Sequence, residues 1–96
     1  MDDLIHKLIN SINTHGLQYT AEKLLDERYD HYRRAGLQMD DKKKKLLMHR
    51  QKLGFQMYSA LLSPCEGERT PELAVENLMR FIRKRKYLKD SIKDLF

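Results

Sequence analysis

Apolar residues recur at three- and four-residue spacing along most of the chain, and polar punctuation divides that pattern into four segments. In "DDLIHKLINSINTHG", Leu4, Ile5, Leu8, Ile9 and Ile12 share one side of a helix wound at about 100° per residue, with acids in the first turn and Gly16 placed to end it. The second segment, "LQYTAEKLLDERYDHYRRAG", repeats the design. Thr20 offers a cap, Ala21, Leu24, Leu25, Tyr32 and Ala35 form the apolar side, and Gly36 terminates it.

A third helix is predicted from Asp40 and Asp41, whose carboxylates suit a helix amino end, to Ser63 and Pro64. Its stripe is Leu46, Leu47, Leu53, Met57, Tyr58 and Leu61. After the loop "PCEGER", Thr70 as cap, Pro71 in the first turn and Glu72 beside it start a fourth helix. That helix carries Ala74, Val75, Leu78, Phe81, Ile82, Leu88, Ile92 and Leu95, and a break near Tyr87 is compatible with the pattern. Alternating runs and Asn-Gly or Asp-Gly hairpin turns are missing from the sequence. Four amphipathic helices with short connections predict an all-α protein: a small antiparallel four-helix bundle over 1–96 as one helical domain.

Two irregularities depart from a plain bundle. Met48, Phe55 and Leu62 repeat every seven residues on the side of the third helix opposite its main stripe. Either this helix is buried on both sides, or Phe55 anchors a homodimer or partner interface. Gly54, between Leu53 and Phe55, lowers helix propensity and is expected to let another helix approach closely. The second irregularity is Arg28, Arg50 and Arg85, each of which the winding places within an apolar stripe where no acid has a comparable position. Snorkelling at bundle ends or pairing with Glu27 or Asp30 would account for them; a shared groove for a carboxylate, phosphate or acidic partner residue is the sharper reading.

Charge changes the picture in two places. The chain has a net charge of +5 over 96 residues, and the excess is concentrated at Lys42, Lys43, Lys44 and Lys45 and between Arg80 and Lys89. In that second run Arg80, Arg83, Lys84 and Lys86 spread over the polar side of the fourth helix, where Glu76 can pair with Arg80 and Asp90 with Lys86. Phosphate contacts by Lys42 to Lys45, Arg80 and Lys89 would give affinity without sequence choice. Tyr87 could stack on one base, which falls short of a platform.

Candidate chemistry is sparse. His6, His15, His31 and His49 are scattered, "DERYDH" is read as surface pairing before a metal site, and no glycine-rich phosphate loop is present. The single cysteine, Cys65, cannot form an intramolecular disulfide, and with Glu66 beside it its thiolate is not favoured. No apolar run approaches the roughly 20 residues of a membrane span. The sequence therefore predicts a cytoplasmic, non-enzymatic interaction protein (adaptor, inhibitor or regulator) without cofactor or metal. It would bind a protein partner through Met48, Phe55 and Leu62, with Arg83, Lys84, Lys86 and Tyr87 at the rim. The alternative is an electrostatic nucleic-acid-binding or DNA-linked regulatory protein.

Overall fold

The computed structural model describes residues 3–63 and 70–96, all of whose regular structure is helical. Cys65 and the rest of the loop after Ser63, together with Asp2, lie outside the described residues. Six helices follow in order: α1 (Asp3–His15), α2 (Leu17–Glu22), α3 (Arg28–Arg34), α4 (Asp41–Leu61), α5 (Pro71–Arg83) and α6 (Lys86–Lys93). The expected second and fourth helices are each divided in two.

The second helix stops because its backbone tightens and then finds a better donor. Leu24 and Leu25 donate their amides to Ala21 and Glu22, three residues back, which closes the last turn. Asp26 then takes the Arg28 amide on its own side chain at 3.2 Å, a local bond that competes with helix and restarts the chain in a new direction. Thr20 does not cap this element, as its position had suggested. It sits inside α2, fully buried, and its hydroxyl donates to the Gly16 carbonyl one turn back at 2.9 Å. Gly36 does end α3: its φ of 69° suits glycine, and the Leu37 amide reaches back to the Tyr32 carbonyl at 3.0 Å.

The fourth helix breaks at Arg85, two residues before Tyr87, with no proline or glycine present. A straight helix over 71–96 would run about 39 Å, well beyond its neighbours. It would also point Leu88, Ile92 and Leu95 about 105° away from Val75, Leu78 and Ile82. The turn at Arg85 folds α6 back so that Leu88 and Ile92 are buried in the same core as α5.

That core is built from Leu4, Leu8 and Ile12 of α1, Leu53, Met57 and Leu61 of α4, and Val75, Leu78 and Ile82 of α5, with Ala21 and Leu24 from the second segment. The caps predicted for α4 and α5 are in place: Asp40 accepts the Lys43 amide at 2.7 Å and Thr70 the Leu73 amide at 3.2 Å. Only the second half of α4 enters the core. Its first half projects with α3 alongside, and the molecule measures 45 × 24 × 23 Å. Leu47 is buried there, but α3 has no buried residue; Gln51 holds it through Asp30 at 2.9 Å, and Lys43 lies 4.6 Å from the centre of the Tyr32 ring.

Candidate functional site

The stripe Leu46, Arg50, Leu53 and Met57 runs along α4 with spacings of four, three and four residues. α5 covers a different side of α4, and α6 packs chiefly on α5. The stripe is therefore left as the floor of an open groove of about 800 Å³. One wall is α6, which contributes Tyr87, Leu88, Ser91 and Ile92, continued by Leu95 just after it. The facing wall is the non-helical link 23–27 and the start of α3, with Asp26, Glu27, Arg28 and His31. One wall is thus apolar and the other charged.

Burial grades from floor to rim. Leu53, Met57, Leu88 and Ile92 are buried at the bottom, whereas Leu46, Tyr87 and Leu95 remain 50%, 56% and 42% exposed. Gly54 sets the position of the charged wall. A Cβ there would lie 2.8 Å from the Leu24 carbonyl oxygen and 3.0 Å from the Asp26 nitrogen. Close approach was expected at this glycine, but the partner is the irregular link, which has no helix.

Two of the three stripe arginines meet at the groove. Arg28, expected among Leu24, Leu25 and Tyr32, is exposed because the chain leaves helical geometry before it. Its guanidinium forks onto Asp26, with Nε to Oδ1 at 2.9 Å and Nη2 to Oδ2 at 2.6 Å. The pairing acid is Asp26, in place of Glu27 or Asp30; Asp30 instead accepts from Gln51 and lies 3.8 Å from Arg33. Arg50 is exposed on the groove floor and makes no hydrogen bond or ion pair within the described residues. Arg85 stands elsewhere, half-buried at the α5–α6 turn, with its guanidinium 4.1 Å from the Phe81 ring centre and 3.4 Å from the Phe81 carbonyl oxygen.

The Arg28 fork holds the Asp26 carboxyl below its ordinary pKa against the opposing effect of burial, and the charge of Arg50 acts in the same direction. Because the folded-state pKa is depressed, the pair's stabilisation is complete above the unfolded value near 3.9 and is lost as pH falls through the folded value. Asp26→Asn should cost no more than about 1 kcal/mol near neutrality, since Arg28 is half exposed. Urea melts at about pH 7 and about pH 3 check this: the wild-type advantage over Asp26→Asn should shrink in acid. An advantage that persists undiminished would assign the effect to packing.

The other sequence-predicted residues are dispersed. Met48 and Phe55 are exposed on the side of α4 away from the groove, Phe55 at 60% with its ring stacked 6.1 Å from Tyr58. Leu62 does not join them in the open; it caps α4 and packs half-buried against the core. Lys42, Lys43, Lys44 and Lys45 are exposed on the projecting half of α4. Arg80 and Arg83 share Glu76 at 3.8 and 3.1 Å, while Lys84 and Lys86 are exposed and Lys89 is half-buried. The expected Asp90–Lys86 pair does not form, although both residues lie on α6.

Among the described residues no three histidine, cysteine or acidic side chains gather as metal ligands, and no described helix is long and apolar enough to cross a membrane. No protein-family model matches the chain, and no curated protein or solved structure matches it either. The class defined by fold and site is thus a small all-helical protein with an apolar groove.

Proposed function

We propose that this chain is a non-enzymatic interaction protein that acts by occupying a protein partner. The observation that carries this reading is the distribution of exposed large apolar side chains. Leu46, Met48 and Phe55 on α4, and Tyr87 and Leu95 beside them in sequence order on and just after α6, account for five of the eight in the described chain. They fall in two patches, Leu46 with Tyr87 and Leu95 at the groove and Met48 with Phe55 on the other side of α4, and burial of either by a partner would be stabilising. Nearby cations, among them Lys42, Lys45, Lys84 and Lys86, would steer an acidic partner surface.

The nucleic-acid alternative is less well served by the same charges. Arg80 and Arg83 share a carboxylate and Lys43 is taken up by Tyr32, so a phosphate-tracking row is interrupted. The test has two arms. Labelled duplex and single-stranded nucleic acid are titrated at about 50 and about 200 mM salt, beside the charge reversal of Arg83, Lys84, Arg85 and Lys86. In parallel, wild type, Phe55→Asp and Leu46→Asp are compared for the protein each retains from its own cell. Weak nucleic-acid binding, with retention lost in at least one variant, is the expected result. Tight binding that collapses with salt and with the reversal, or retention unchanged in both variants, would overturn the reading.

A further inference from the structure

Resting on that reading, we infer that the groove takes an amphipathic helix of a protein partner, one with an acidic residue inside its apolar stripe facing Arg50. The first ground is periodicity. Leu46, Arg50, Leu53 and Met57 have the alternating four- and three-residue spacing of a coiled-coil seam, and over about 16 Å they supply three turns of it. Leu88 and Ile92 of α6, with Leu95 just after it, show the same spacing on the adjoining wall. Leu53, Met57, Leu88 and Ile92 form the buried bottom of this space and Leu46, Tyr87 and Leu95 its exposed rim, so a third helix would seat on that rim by the packing that already joins α4 to α5.

The second ground is charge. Arg50 interrupts an otherwise apolar seam, flanked by Leu46 and Leu53, and among the described residues it makes no hydrogen bond or ion pair; its charge acts on the Asp26 carboxyl, but that carboxylate is already forked by Arg28. A helix laid over the seam would take Arg50 out of water, and a guanidinium so placed needs a carboxylate. Lys42 lies one turn before Leu46 and Lys45 one turn before His49, so the approach to this end of the groove is also cationic. A second copy of the chain does not meet the requirement. No acid in the sequence holds a position within an apolar stripe comparable to that of Arg50.

The test uses synthetic amphipathic helices of about 18 residues, five turns, with a leucine stripe and one central stripe position set to Glu, Gln or Lys. Binding to the full chain is read by fluorescence anisotropy. The Glu peptide should bind at least about tenfold more tightly than the Lys peptide. Arg50→Glu, an exposed position that leaves the helical signal unchanged, should reverse that order, and Leu46→Asp should weaken all three peptides. Equal binding of the Glu and Lys peptides, or an order that Arg50→Glu does not change, would overturn the inference. So would groove occupation by a second copy, seen as self-association that Leu46→Asp abolishes. If these peptides fail while the chain still retains a cellular protein that Phe55→Asp releases, the groove inference falls and the broader reading stands. If retention fails as well, both fall.

Discussion

Gly54→Ala is expected to lower the stability of the fold by about 1 kcal/mol and Gly54→Leu by about 3 kcal/mol or more. Two effects oppose each other at this position. Alanine in place of a mid-helix glycine should gain about 1 kcal/mol of helix propensity. The added Cβ, however, would meet the Leu24 carbonyl oxygen at 2.8 Å and the Asp26 nitrogen at 3.0 Å, which are backbone atoms and cannot rotate aside. Overpacking against fixed backbone typically costs about 1–3 kcal/mol, so for alanine the clash exceeds the propensity gain and for leucine it dominates. Denaturant melts give the sign directly, and 1 kcal/mol corresponds to roughly 4–8 °C in melting temperature for a domain of this size. A stabilised Gly54→Ala would mean that the link 23–27 yields freely, and that the charged wall of the groove is not fixed by α4.

Thr20→Val is expected to cost about 2 kcal/mol although it keeps the side chain's shape, because it strands a buried hydroxyl. Thr20 gives its one proton to the Gly16 carbonyl, so in the 2.8 Å contact between Ser11 and Thr20 the hydroxyl of Ser11 must be the donor. Removing the Thr20 oxygen leaves Ser11, only 8% exposed, without its acceptor. The Gly16 carbonyl is not stranded, since the Thr20 amide also reaches it at 3.2 Å. Ser11→Ala alone should cost about 1 kcal/mol, and the double variant should be more stable than the sum of the two losses predicts, by about 1 kcal/mol. Strict additivity in the four-variant cycle would show that the two hydroxyls act independently.

How much of this was legible in the sequence follows from where the helix signals were strong. Asp40, Thr70 with Pro71, and Gly36 act as punctuation through bonds to nearby backbone, and all of them sit where the sequence placed them. The stripe Leu46, Leu53, Met57 and the close approach at Gly54 were legible for the same reason: they are properties of one helix. The break at 23–27 was not, because Leu24 and Leu25 continue the helical period and only the side chain of Asp26 competes with it. The turn at Arg85 was foreseen two residues late, since no local residue forces it; burial of Leu88 and Ile92 against α5 does. The groove is a product of those two turns. It could not be read from the periodicity that produced its floor.

The paucity of buried contacts in α3 has a dynamic consequence. None of its seven residues is fully buried; Tyr29, Asp30 and Tyr32 are half-buried, and a hydrogen bond from Gln51 and a cation–ring contact from Lys43 link it to α4. Local opening free energies follow buried contact, so α3 is expected to open from α4 at a lower free energy than the core of α1, α4 and α5, which amide hydrogen exchange would read as weaker protection of 28–34. One wall of the groove is anchored through the core by Leu88 and Ile92, and the link of the other is packed on Gly54, which leaves the start of α3 as the part of the groove expected to open first. An occupant that touches α3 would bear the entropy of ordering it, and its apparent affinity would fall in proportion to any population in which α3 is open.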